Sequence, residues 1–213
     1  MNASIILATS SSGEAISARK VSDNLAAKDK EQLAQFIYDR LYGRYLKSFD
    51  YPDEKFQSDY KSGFLLMASC CLLIETYISF TVAKYRSTKD QSGACFGEFF
   101  TTEKRFLQFG DGARQGDGKL STSKQGGTPN DFYSNVRCGI LHNAETKNGW
   151  SITRSKASPL FDKATKRINA TKFANLLKSV LSDYKKALIA SDFDNDNIWI
   201  NFRNRIGDIL KSS

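Results

Sequence analysis

Histidine is nearly absent from this chain of 213 residues, which carries one, His142. A metal centre built on several imidazoles is therefore excluded on ligand count, and no metal or other cofactor is expected. Cysteine is sparse as well. Cys70, Cys71, Cys95 and Cys138 form no CxxC pair, and two of them are adjacent inside an apolar run. They read as reduced, buried thiols of a cytoplasmic protein, neither a disulfide frame nor a zinc site. The short apolar stretch from Ala3 to Ala8 lacks the basic start and longer core of a secretory signal. No phosphate-cradling loop is present, because Gly110 to Gly118 lacks the terminal Gly-Lys-Ser/Thr. Asp192-Phe193-Asp194-Asn195-Asp196 resembles the start of a calcium loop and fails at once. Asn197 replaces the required glycine and Arg203 stands where the bidentate acid belongs, so the segment reads as a helix-capping turn.

What remains is an ordinary globular composition, 40% hydrophobic and 25% charged, with an aromatic-rich core expected from 15 Phe and 9 Tyr. The length suits one domain with a real core. The formal charge is +8, which favours acidic partners. Between Trp150 and Ser191 nine Lys/Arg (Arg154, Lys156, Lys163, Lys166, Arg167, Lys172, Lys178, Lys185, Lys186) face two acids, Asp162 and Asp183. A solvated helix face explains this as readily as a nucleic-acid surface. Gly63 to Ala83 is long enough to span a bilayer and has one charge, Glu75. Ser69, Thr76, Ser79 and Thr81 dilute it and both flanks are basic, so a buried central helix accounts for it better and no membrane partner is expected.

Apolar spacing predicts a mainly α fold, a bundle of about five helices with a short β-hairpin near 150–168. Residues 1–27 lack a sustained period and read as a flexible leader, leaving 28–213 as a single helical domain. A first helix runs from about 28 to 49, with Leu33, Phe36, Ile37, Leu41 and Tyr45 at helical spacing. Tyr51-Pro52 ends it. A second, from about 53 to 85, is apolar almost all round and therefore central. Residues 86–129 form a long loop holding a short aromatic piece, Cys95 to Phe106. A third helix begins near Pro129-Asn130, with Phe132, Val136 and Ile140 as its stripe, and Asn148-Gly149 is a turn. Further helices are expected at about 170–191 and 197–210.

The third helix carries Arg137-Cys138-Gly139-Ile140-Leu141-His142 near its end. Imidazole moves protons near neutral pH, and guanidinium clamps a phosphate whose charge builds in a transition state. A helix-end histidine with an arginine packed nearby would produce the same spacing. Glu75 is the only acid between Asp59 and Asp90 and lies in the most apolar helix. A buried carboxylate needs a partner, and Arg137 is the candidate; a purely structural tie between helices fits equally. Asn143 suits phosphate, ribose or a helix end. Tyr133, one turn before Arg137, lines a groove or packs. Cys138 reads as an inert thiol.

The stretch from Phe132 to Lys147, with arginine, four residues, then histidine late in a helix, resembles the HEPN superfamily. The resemblance implies a HEPN-like helical bundle and a metal-independent endoribonuclease of a toxin–antitoxin or phage-defence system. It covers the motif helix and, loosely, the preceding helix pair. Many members have a polar residue straight after the arginine, where Cys138 stands here. Arg137, His142 and Glu75 are the catalytic candidates. Asn143, Tyr133, Lys163, Lys166 and Arg167 are candidates for RNA contact. Residues five apart on an ideal helix point about 140° apart, so Gly139, the helix end or a second chain must bring Arg137 and His142 together. With one histidine per chain, a homodimer with a composite site is expected. The alternative is a non-catalytic module of the same kind that docks a nucleotidyltransferase or another defence protein, an antitoxin being a further partner the resemblance implies.

Overall fold

The computed structural model describes residues 4–50, 62–86, 92–109 and 131–212. The fold is mainly α with a small β-hairpin, as the apolar spacing predicts. In chain order, β1 (Ile6–Thr9) and β2 (Ala15–Ser17) precede α1 (Ala18–Ala26) and α2 (Lys30–Tyr45). Then come α3 (Gly63–Thr81), α4 (Ser92–Thr102) and a 3-10 segment, Lys104–Phe109. A π-helical turn, Tyr133–Arg137, leads into α5 (Cys138–Asn143). Strands β3 (Ser151–Thr153), β4 (Phe161–Asp162) and β5 (Arg167–Asn169) lead to α6 (Ala170–Ala190) and α7 (Asn197–Ser212). Seven α-helices among the described residues exceed the five expected, the additions being α1 and α4.

One sequence expectation needs correction. Residues 6–26, read as a flexible leader, form an antiparallel hairpin and a capped helix. Gly13, at φ 90°, turns the hairpin, and the Ser17 hydroxyl accepts the Lys20 N–H to start α1. Leu7, Ala18 and Val21 are buried, and Arg44 of α2 donates to the Leu7 carbonyl at 3.1 Å. Strands of three and four residues have no sustained period, so their order comes from α2. The short β-hairpin expected near 150–168 is present. The hairpin lies between β4 and β5, whereas β3 pairs with β5 in parallel, giving the order β3-β5-β4. The predicted helix over 53–61 and the loop over 110–129 lie outside the described residues.

The chain packs as two compact units. The first comprises residues 1–48, 79–86 and 178–213. In it the stripe Leu33, Phe36, Ile37 and Leu41 of α2 is buried, as are Leu188 of α6 and Trp199, Phe202 and Ile206 of α7. Trp199 donates its indole N–H to the Leu188 carbonyl at 2.8 Å, which satisfies the one polar atom of a wholly buried ring. The Asp192 carboxylate accepts the backbone N–H groups of Asp194 and Asn195, so this segment is a capping turn before α7.

The second unit comprises residues 49–78 and 87–177. Its core is a cluster of aromatic rings. Phe132 stacks on Phe173 with centroids 5.9 Å apart and meets Phe100 edge-on at 5.0 Å. Phe96, Phe99, Phe106 and Phe109 fill the space around them, all buried. The aromatic piece expected at 95–106 is therefore the heart of this unit. Helix α3 is long and apolar enough by composition to cross a membrane, yet 67% of that stretch is buried inside the protein. Burial pushes the Cys70 and Cys71 thiols well above their ordinary range, so both stay protonated.

Phe132 is fully buried among rings that cannot collapse together without leaving their staggered positions. Phe132→Ala is expected to destabilise the protein by about 3–5 kcal/mol, read from denaturant unfolding. A loss below about 1 kcal/mol would show that the cluster is not packed as described.

Candidate functional site

The motif helix is not a regular α-helix. At its start the Cys138 N–H reaches back to the Tyr133 carbonyl, an i to i−5 bond that defines the π turn. Asn135, buried in that turn, supplies the reason. Its side-chain N–H₂ donates to Asp131, its side-chain oxygen accepts from Asn148 at 2.7 Å, and its backbone carbonyl accepts the Lys147 N–H at 3.0 Å. Asp131 in turn accepts the Trp150 indole N–H at 3.3 Å. One buried amide therefore ties the helix start to the turn beyond the helix end. That turn is the predicted Asn148-Gly149, with φ of 52° and 80°. Two successive positive φ values suit an Asn-Gly pair.

The turn directs Arg137 onto α3. Arg137 Nε donates to Glu75 Oε1 at 2.9 Å, and Nη2 to Oε2 at 3.5 Å. The side chains are only 15% and 12% exposed, so this ion pair is largely withdrawn from solvent. Burial opposes the charge on Arg137, while the Glu75 hydrogen bond and charge outweigh it and raise its pKa above the ordinary value. The guanidinium also lies over the Tyr133 ring, 5.4 Å from its centroid. Burial first, and then a hydrogen bond with Cys138, raise the Tyr133 phenol pKa, which keeps the hydroxyl neutral. Glu75, Arg137, Tyr133 and Cys138 thus form one half-buried cluster.

His142 stands apart from it. It is exposed on the last turn of α5 and makes no hydrogen bond or ion pair among the described residues. The π turn ends at Arg137, so the five residues to His142 follow α-helical rotation of about 100° each and the two side chains diverge by about 140°. Gly139 does not bring them together. A Cβ there would lie 2.5 Å from the Glu145 carbonyl oxygen, so the glycine admits the returning backbone instead. Ala144, at φ 55°, ends the helix one residue later than His142 and turns the chain back.

The RNA-contact candidates separate likewise. Asn143 is exposed at the helix end, and Lys163 and Arg167 are exposed on the small sheet. Lys166, at φ 49°, donates its ammonium to the Asn148 carbonyl at 3.3 Å, which ties the β4–β5 connection to the turn after the motif helix. Residues 110–127 lie outside the described residues. Among the described residues no three metal-ligating side chains converge.

No family model, curated protein or solved structure matches the chain. The site therefore rests on its own geometry. Sequence reasoning missed Asp131 and Asn135. Their only signal was an amide beside Phe132 and Val136 on the predicted apolar stripe, where a polar residue must be hydrogen-bonded.

Removing either partner of the Glu75–Arg137 pair leaves a buried charge unmatched. Glu75→Leu and Arg137→Leu are each expected to cost about 3–5 kcal/mol, and the double variant less than their sum. Additive losses in urea unfolding would mean that the pair does not couple. Gly139→Ala is expected to lower the melting temperature through overpacking of about 1–3 kcal/mol, because the clashing atom is backbone. An unchanged melting temperature would contradict that close approach.

Proposed function

We infer that this chain is a metal-independent endoribonuclease of the HEPN type, a cytoplasmic toxin or phage-defence effector that works as a homodimer on RNA. The observation that carries the reading is the division of labour in one helix. Arg137 is charged and held in place by Glu75, and His142, five residues on, is exposed and makes no hydrogen bond or ion pair among the described residues. A fixed guanidinium suits a phosphoryl group, whose charge grows as a nucleophile adds. A free imidazole suits proton transfer.

In the proposed reaction the ribose 2′-oxygen attacks phosphorus and loses its proton to His142. The P–O5′ bond breaks, and the 5′-oxygen takes a proton from His142 of a second copy. The products are a 2′,3′-cyclic phosphate and a 5′-hydroxyl, so no water is consumed in this step. Arg137 stabilises the added negative charge and Glu75 is a positioning residue. Two copies are required because one chain has one histidine, directed away from its own arginine. Exposed Leu65 and Leu72 on α3, and Leu141 beside His142, give the unit apolar surface for such an association. Lys163, Lys166 and Arg167 contribute backbone contacts that salt weakens. Asn143 and Tyr133 border the same helix and complete the RNA-facing set.

The same divergence of Arg137 and His142 favours a second reading, a non-catalytic module docking a nucleotidyltransferase, an antitoxin or another defence protein. Purified protein incubated with RNA in the presence of EDTA separates the two. Wild type is expected to cleave, leaving cyclic phosphate ends, while His142→Ala and Arg137→Ala each lose at least 100-fold in rate. Equal cleavage and equal growth arrest by wild type and His142→Ala would remove the enzyme reading.

A further inference from the structure

The first compact unit holds a cleft of its own, unrelated to the motif helix. It has a volume of about 420 Å³ and lies between β1 and the C-terminal half of α2, with Lys47 at its end. That size falls within the roughly 300–1,000 Å³ of small-molecule sites. Its wall is built from residues at helical spacing. Arg40, Arg44 and Lys47 follow one another at intervals of four and three, so one face of α2 and the turn after it presents three cations.

The cations are not neutralised by the protein. Arg40 Nη1 and Arg44 Nη2 both donate to a single uncharged group, the Leu7 carbonyl of β1. Among the described residues, none of the three has a carboxylate within ion-pair distance. Arg40 is half-buried, whereas Arg44 and Lys47 are exposed. Burial, and then the neighbouring charges of Arg44 and Arg205, bring its pKa down to about 10. A bound dianion would relieve that repulsion, and guanidinium forks match phosphoryl oxygens in geometry.

Two further features shape the wall. Asp39 is 5% exposed. Its Oδ1 accepts from the Gln35 amide at 2.9 Å, and its Oδ2 has no hydrogen-bond partner. Gln35 is fixed in that orientation because its own oxygen accepts from Lys185. Oδ2 is itself sealed from solvent, so it closes the wall and is not an open contact for the occupant. Gly43 lies in the same wall, in the interior of α2, where glycine is unfavourable. A Cβ there would meet nothing within 4 Å, so no protein atom requires the glycine and the space it leaves belongs to the cleft. Ile6, half exposed on the rim, offers an apolar surface for a ring.

We propose that this cleft binds a small phosphorylated molecule of mononucleotide size, its phosphoryl group held by Arg40, Arg44 and Lys47 and the rest of the molecule seated in the space beside Gly43 and against Ile6. The site is independent of the motif helix and does not rest on the ribonuclease reading.

Calorimetric titration of the full chain with AMP, ribose 5-phosphate, inorganic phosphate and adenosine tests this. AMP or ribose 5-phosphate is expected to bind saturably at one site per chain, inorganic phosphate at least tenfold more weakly, and adenosine not at all. Gly43→Leu, whose Cβ meets no protein atom within 4 Å and whose side chain enlarges this wall of the cleft, is expected to weaken binding at least tenfold while keeping the wild-type melting temperature. Lys47→Glu, on an exposed side chain, serves the same purpose if the leucine variant fails to fold. Absence of saturable binding by both phosphorylated probes overturns the proposal. So does wild-type affinity in the variants, and so does inorganic phosphate binding as tightly as AMP, which would leave an anion cleft with no part for the space beside Gly43.

Discussion

A carboxylate in the middle of an otherwise apolar helix is tolerable only if something answers its charge, and in the second unit that something is Arg137. The Glu75–Arg137 pair is mostly shielded from water, so its attraction acts through a medium less polarisable than solvent and its loss on either side would strand an ion. The pair joins α3, whose burial defines the unit's interior, to the one helix that departs from regular geometry. Tyr133 lies against the guanidinium, and Cys138 hydrogen-bonds Tyr133, so the environment of both follows from where Arg137 is held. Cys71, one helical turn before Glu75, is buried beneath the same cluster.

The π turn decides which residues share that cluster. Without it the direction of Arg137 relative to the buried stripe Phe132 and Val136 would differ by roughly one residue's rotation. Asn135 holds the turn by bonding to residues on both sides of it, and Gly139 lets the chain return closely enough for the Asn148 bond to form. A single buried amide and a single missing Cβ therefore fix the arginine while leaving the histidine at an exposed helix end. That contrast fits the proposed reading, in which clamp and proton carrier come from different copies of the chain. The first unit solves a different problem, in which two arginines of α2 share one neutral carbonyl and, with Lys47 beyond the helix end, border an empty volume.

Much of the helical architecture was legible beforehand. The buried faces of α2, α6 and α7 follow from apolar residues at spacings of three and four, and α6 begins at Ala170, where the periodicity places it. Asn148-Gly149 is legible because only a few residue pairs accept two positive φ values in succession. Glu75 announces its need for a partner by being alone among apolar residues. The N-terminal hairpin was not legible, since its strands are too short for a period and depend on α2 for their burial. Nor was the parallel pairing of β3 with β5, because the sequence between them looks like a simple hairpin and carries no mark of which strand crosses.

The sequence by itself determined which helix faces turn inward, where the tight turn lies, and that one acid and one histidine stand out from their surroundings. These are local matters, set by side-chain chemistry within a few residues. Only the tertiary structure decided that Arg137 meets Glu75, that the helix shifts register at Asn135, and that His142 stays in solvent. The first two rest on hydrogen bonds that include partners 12 to 62 positions apart in the chain, and bonds at such range leave no periodic trace in the residues that make them.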